Sequence, residues 1–173
     1  MPYSHPAHYT NVVNLIRTNF NPSETSIIDI GCGAGVYRDL LPEYVMDGIE
    51  VYEKYINDFK LREKYRTIFN EDVVEFKFTG KKYTLAIMGD ILEHLSVEDA
   101  KKVLNAIKKA NISLIVQVPY LYEQGVYDGN VHEIHLQPDL THEVFLSRYE
   151  EYGFSFLVED SVCGAYYIFR KGE

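Results

Sequence analysis

The sequence predicts an α/β domain: a mostly parallel sheet of seven strands, with helices on both faces and an antiparallel final strand. Three observations carry this expectation. Short β-rich runs alternate with helix-patterned segments five times, and a pair of strands then closes the chain. A glycine-rich turn, Gly31-Cys32-Gly33-Ala34-Gly35, joins the first strand to the segment after it. The 173 residues, 46% of them hydrophobic, suit one domain with one core over residues 1–173.

The elements follow in order. Pro2 and Pro6 make the first seven residues irregular. From His8 to Phe20, Val12, Val13, Leu15, Ile16 and Phe20 mark one side of a helix, which Asn21-Pro22 ends. Ile27 to Ile30 reads as a buried strand, apolar but for Asp29, and a helix is expected from Val36 to Leu41. Glycines between a strand and a helix let a ligand approach the backbone, because no Cβ is in the way. They also aim free N–H groups and the positive helix end at it. Val45 to Val51 is the second strand, Tyr52 to Tyr65 a helix, and Arg66 to Phe69 a short third strand. After the turn Gly80-Lys81-Lys82, Tyr83 to Met88 is the fourth strand. Ser96, with Asp99 three residues on, caps a helix whose apolar face is Val97, Ala100, Val103, Leu104, Ile107 and Ala110. Ile112 to Val118 is the fifth strand, stopped by Pro119. Tyr120 to Gln137 is the longest loop, and loops of such length in small domains are commonly functional or mobile. Thr141 caps a helix reaching Tyr152, which Gly153 ends. Phe154 to Val158 and Ala165 to Arg170 are the closing strands.

Composition narrows the partners. The net charge is −9, from 17 basic and 26 acidic residues, and the basic clusters are short: Lys60 to Arg66, Lys81-Lys82, and Lys101-Lys102 with Lys108-Lys109. A polyanion-binding surface needs a basic patch, so nucleic acid is not the expected partner. No run approaches the roughly 18 apolar residues of a membrane span, and no secretory signal is read. The two cysteines, Cys32 and Cys163, make neither a disulfide framework nor a zinc site. A cytoplasmic protein acting on a small molecule is expected, and its oligomeric state is open.

The glycine spacing selects among nucleotide-type ligands. A dinucleotide fingerprint needs G-x-G-x-x-G, and here Val36 holds the place of its last glycine. Asp29-x-Gly31-x-Gly33-x-Gly35 resembles instead the first motif of the class I, Rossmann-like methyltransferases that bind S-adenosylmethionine. Asp90-Ile91-Leu92-Glu93-His94-Leu95 resembles their fourth motif, and the likeness runs over nearly the whole chain. It implies S-adenosylmethionine as cofactor, bound at Asp29, Gly31, Gly33, Gly35 and Asp90. Glu50 closes the second strand about 20 positions past the first glycine, where a carboxylate accepts both ribose hydroxyls. Asp72 matches the family's acidic residue at the adenine amino group. The family's N-terminal helix helps cover the site, so His5, His8 and Tyr9 either face a substrate or belong to a solvated helix start, the more ordinary reading.

The chemistry implied is in-line displacement at a sulfonium methyl, in which the protein positions the acceptor and excludes water. The Asp/Asn-Pro-Pro-Tyr/Phe motif of nucleobase amino methylation is absent after strand four, where Gly89-Asp90-Ile91-Leu92 stands. Methylation of oxygen is therefore expected, on a small molecule under a cover of tyrosines from Tyr120 to Tyr127. Histidine is the natural base near neutral pH, which singles out His135 and His94, with His132 as a neighbour. Asp90, Glu93 and His94 also have the i, i+3, i+4 spacing of one helical face, and His135 or His132 lies within reach from the loop. Such a set suits a divalent ion. It resembles the ligand set of metal-dependent methyltransferases acting on the terminal ribose of small RNAs. Asp90 is shorter than their glutamate and the acidic balance fits RNA poorly, so no metal is expected. A metal-dependent RNA ribose 2'-O-methyltransferase and a non-catalytic S-adenosylmethionine-binding protein remain the alternatives.

Overall fold

A computed structural model describes residues 6–80 and 82–170. Seven strands form one sheet: β1 (Ser26–Ile30), β2 (Val45–Ile49), β3 (Ile68–Phe69), β4 (Leu85–Gly89), β5 (Ser113–Pro119), β6 (Ser155–Glu159) and β7 (Cys163–Ile168). Their order is β3-β2-β1-β4-β5-β7-β6. Strands β1 to β5 pair in parallel, and β7 runs antiparallel to both β5 and β6. The strand that closes the chain thus lies between β5 and β6 rather than at the sheet's edge.

The central strands are mostly apolar because both faces are covered, and their apolar side chains alternate between two cores. Ile28, Ile30, Met88, Leu114 and Val116 face one core, with Ala100, Val103, Leu104 and Ile107 of α5 (Val97–Lys109) and Phe145 of α6 (His142–Arg148). Ile27, Met46, Leu85, Ile87 and Ile115 face the other, with Val12, Val13 and Ile16 of α1 (Tyr9–Asn19). Tyr37 of α2 (Val36–Leu40), Ile56 of α3 (Glu53–Asp58) and Leu61 of α4 (Leu61–Lys64) complete this second core.

The caps form as their residue types dictate. Ser96 Oγ accepts from the Asp99 N–H at 3.0 Å, and Thr141 Oγ1 from the Val144 N–H at 3.2 Å. The helix expected over 52–65 is instead two short helices, broken where Lys60 takes a left-handed φ of 52°. The helix expected to reach Tyr152 ends at Arg148, and a 3-10 turn continues from Glu150 to Tyr152. No helix among the described residues is long and apolar enough to cross a membrane.

A parallel sheet delivers the loops after its strands to one edge, where open α/β sheets bind ligands. Here that edge gathers the glycine turn after β1, Glu50 after β2, Asp90 to Leu95 after β4, and the loop after β5.

Candidate functional site

These loops enclose an open cleft. Its floor is the glycine turn. Gly31, Gly33 and Gly35 all have positive φ, at 63°, 48° and 79°, a region that residues with a Cβ rarely enter. Gly31 is doubly constrained, because a Cβ there would lie 2.4 Å from Ile91 Cδ1. The helix that follows, α2, has only five residues, so the expected contribution of a helix end to ligand binding is not built. The turn's N–H groups point inward: Gly33 N–H donates to Glu50 Oε2 at 2.9 Å, and Gly35 N–H to the Cys32 carbonyl at 2.7 Å.

Glu50 therefore serves the fold as well as the cleft. Its Oε1 accepts from the Tyr52 N–H at 2.8 Å, and Asn70 Nδ2 donates to its backbone carbonyl at 2.9 Å. Only 5% of Glu50 is exposed, and burial raises its carboxyl pKa despite these bonds. A carboxylate has about four lone-pair sites, so two backbone bonds leave capacity for two further donors. Asp29, on β1, is as deeply buried and accepts from Tyr65 OH at 2.5 Å. Burial, offset by that bond and reinforced by the charge of Glu50, carries its pKa up to about 7. Asp72 lies at the far wall beside Glu71; its Oδ1 accepts from the Val74 N–H at 2.9 Å.

After β4 the helical face expected for Asp90, Glu93 and His94 does not form. Asp90 has φ 52°, and only Leu92 to His94 make a single 3-10 turn. Asp90 lines the cleft, 3.4 Å from Gln117 Nε2 of β5, while Glu93 is buried. Both Glu93 oxygens are buried without a hydrogen-bond partner. His94 Nε2 lies 3.9 Å and His135 Nε2 4.0 Å from Glu93 Oε1, and the two rings meet edge to face at 4.6 Å. His135 Nδ1 is 2.8 Å from the Tyr122 carbonyl, and His94 Nδ1 is 3.4 Å from the Ile134 carbonyl. A carbonyl only accepts, so both rings carry their proton on Nδ1 and turn the Nε2 lone pair toward Glu93. The ligand atoms of Glu93, His94 and His135 thus converge within 4.8 Å of one another, and no hydrogen bond reaches either Glu93 oxygen. Burial lowers both imidazoles, His94 to about 4, with His135's proximity adding to the shift. Burial and the charge of Asp90 raise Glu93 well above its ordinary value.

The donor set of one carboxylate and two imidazoles fits a divalent transition ion better than magnesium, which prefers oxygen. The two backbone carbonyls are the outer partners that orient ligating histidines. Asp90 stands outside this set. A second cluster, His8, Asp160 and Cys163, is otherwise engaged: His8 Nε2 donates to the Cys163 carbonyl at 3.1 Å.

The loop after β5 supplies Asn130, His132 and Glu133 to the cleft. Sequence reasoning did not single out Asn130 or Glu133, nor Tyr37, Tyr55 and Gln117. Glu133 is held by Tyr55 OH at 3.0 Å and Gln124 Nε2 at 2.8 Å. Tyr37 OH is 3.4 Å from Gln117 Oε1 and its ring packs on Tyr9 of α1. A lone Gln in a β-rich run was the available signal for Gln117; none marked Glu133. The expected tyrosine cover is not what lines the cleft. Tyr120 bonds Tyr166, Tyr122 packs on His135, and Tyr127 is exposed; Tyr37 and Tyr55 are the lining aromatics. His94 and His132 face the cleft, whereas His135 stands behind His94. His8 is buried, and His5 lies outside the described residues.

The lining holds carboxylates from Asp29, Glu50, Glu71, Asp72, Asp90 and Glu133, and no lysine or arginine among the described residues. Such a cleft opposes a diphosphate and suits a ligand carrying positive charge.

No protein-family model and no curated protein matches the sequence. Solved structures do match the fold. A TehB-like S-adenosylmethionine-dependent methyltransferase from Corynebacterium glutamicum has a TM-score of 0.63 at 15% identity, covering 93% of this chain and 88% of that one. The small RNA methyltransferase HEN1 has a TM-score of 0.67 at 16% identity, over 95% of this chain and 25% of that one. The mitomycin 7-O-methyltransferase MmcR has 0.59 at 15% identity, over 95% of this chain. This chain spans about half the length of the mitomycin enzyme, 54%. What these likenesses establish is the architecture: the chain has the class I methyltransferase fold.

Proposed function

We propose that this protein transfers a methyl group from S-adenosylmethionine to a hydroxyl of a small molecule. The observation that carries the reading is the cleft's charge: many carboxylates and, among the described residues, no cationic side chain, at a glycine turn whose Gly33 N–H serves Glu50. S-adenosylmethionine brings a sulfonium and an ammonium and no phosphate, so it fits where a dinucleotide does not. Glu50 has lone pairs left for the two ribose hydroxyls. Asp72 is assigned to the adenine amino group, and Asp29 and Asp90 to the ammonium end beside Gly31.

The cofactor supplies the electrophilic methyl when bound; the chain supplies position and proton handling. Tyr37, Asp90, His94 and His132 border the space for the acceptor. His94 borders it with its ring while its nitrogens are directed at the Ile134 carbonyl and Glu93, and His135 packs against it from behind. An imidazole lowered to about 4 is a weak proton acceptor at neutral pH, so acceptors that are already acidic, such as phenols, suit this arrangement best. Calorimetry with S-adenosylmethionine, S-adenosylhomocysteine and NAD tests the cofactor. Release of S-adenosylhomocysteine in the presence of acceptor separates an enzyme from a protein that only binds.

A second reading is favoured by the unpartnered Glu93 carboxylate. Glu93, His94 and His135 would hold a divalent cation, whose chemistry is to polarise an acceptor oxygen and lower its pKa. A ribose end, as in the small RNA methyltransferase reading, is the corresponding acceptor. The acidic cleft and the net charge of −9 speak for a small hydroxylated molecule over RNA. RNA binding that is tight and falls steeply with salt would reverse that choice.

A further inference from the structure

We infer that a divalent cation at Glu93, His94 and His135 and a ligand in the cleft strengthen each other's binding, because the loop after β5 is held in one conformation by both. The inference rests on the cation reading and on the methyltransferase reading together.

The loop reaches across the cleft between two anchors. At its inner end the Leu136 and Gln137 N–H groups donate to the Glu93 carbonyl at 2.8 and 3.0 Å. Gln137 Nε2 donates to the carbonyls of Leu92 and Leu95, both at 3.0 Å. At its outer end Tyr52 OH donates to the Asp128 carbonyl at 2.9 Å, Lys54 Nζ to Asp128 Oδ2 at 2.8 Å, and Tyr55 OH to Glu133. Between the anchors, Asn130, His132 and Glu133 face the cleft. A ligand in the cleft touches the loop at these three residues. The outer anchor is the weaker one: Lys54 and Asp128 are about half exposed, where ion pairs contribute little.

The inner anchor carries the unresolved tension. His135 comes from the loop, whereas Glu93 and His94 come from the turn after β4. In this arrangement the loop holds His135 Nε2 4.0 Å from a buried Glu93 carboxyl that has no hydrogen-bond partner, which costs free energy while the site is empty. A cation converts that cost into coordination shared by the two elements. It thus favours the closed loop, the same state that the cleft ligand favours. Two ligands that prefer one state of a shared element are positively coupled, and the coupling is reciprocal.

The experiment is calorimetry on the intact chain with Co²⁺ and S-adenosylhomocysteine, each titrated alone and in the presence of the other, with chelator-treated protein as reference. Saturating Co²⁺ should tighten S-adenosylhomocysteine by at least about 5-fold, and S-adenosylhomocysteine should tighten Co²⁺ by the same factor. In His135→Ala the ratio of affinities with and without Co²⁺ should fall to about one, which an effect of Co²⁺ elsewhere on the surface would not produce. Failure of Co²⁺ to bind would overturn the cation site and with it the coupling, while leaving the cofactor reading standing. Binding of both ligands with unchanged affinities would overturn the coupling alone. Failure of S-adenosylhomocysteine to bind under either condition would overturn the cofactor reading and the inference built on it.

Discussion

Glu50→Gln separates the two duties that the structure gives to one carboxylate. Glu50 accepts from two backbone N–H groups, those of Gly33 and Tyr52, and faces the cleft with its remaining lone pairs. Gln keeps the shape and one accepting oxygen, but its NH₂ must face one of the two N–H donors or the ligand's hydroxyls. One buried donor left without an acceptor costs about 1–3 kcal/mol. Against a typical stability of about 5–15 kcal/mol, the variant should remain folded with a lowered melting temperature. The bond lost to a ribose hydroxyl is of the charge-assisted kind, worth about 1.5–3 kcal/mol, so affinity for S-adenosylhomocysteine should fall about 10- to 150-fold. Glu50→Ala removes both acceptors and should unfold more readily, which makes Gln the cleaner probe. The assay is calorimetry at a temperature where circular dichroism shows the variant fully folded. Unchanged affinity in a folded variant refutes the ribose assignment and leaves Glu50 as a clasp on the glycine turn only.

Other predictions follow from the same geometry. Asp29 has a folded pKa raised to about 7, so the folded state holds a proton that the unfolded chain has released, and stability through this group falls as pH rises from about 4 to about 7. A ligand ammonium favours ionised Asp29, so binding near pH 6 should release protons, visible as a buffer-dependent binding enthalpy that Asp29→Asn reduces. His135→Ala should slow turnover by about 10²–10⁴-fold if the residue takes part in proton transfer or its orientation; normal turnover would leave it a structural loop residue. Chelator should abolish activity and a transition-metal ion restore it if the cation reading holds, whereas full activity in chelator removes that reading. Gly31→Ala forces a left-handed φ on a residue with a Cβ and sets it against Ile91; a loss of about 1–3 kcal/mol in a melt is expected.

The fold was legible because its signals are local and agree with one another. The apolar runs of β1, β4 and β5, the Ser96 and Thr141 caps, and three glycines at alternate positions each follow from residue types a few positions apart. The break at Lys60 left no mark, since neither glycine nor proline stands there and packing of Ile56 and Leu61 into one core decides it. The placement of β7 inside the sheet is set by pairing with β5, a contact between distant segments that periodicity does not encode. At the site, Glu50 was read from its spacing and Asp90 from the family resemblance, and both line the cleft. The helical spacing of Asp90, Glu93 and His94 misled, because Asp90 takes a left-handed φ and only Leu92 to His94 form a single 3-10 turn. Glu133, Tyr55 and Gln117 reach the site only through tertiary contacts, across separations no motif spans.

The central claim, that this cleft is built for a cationic nucleoside ligand without phosphate, is tested most directly by one comparison of binding. S-adenosylmethionine and NAD should be titrated into the same protein by calorimetry at low salt. The account predicts saturable binding of S-adenosylmethionine, weakening as salt screens the cleft's carboxylates, and no measurable heat from NAD. Tight binding of NAD with none of the sulfonium ligand would contradict it.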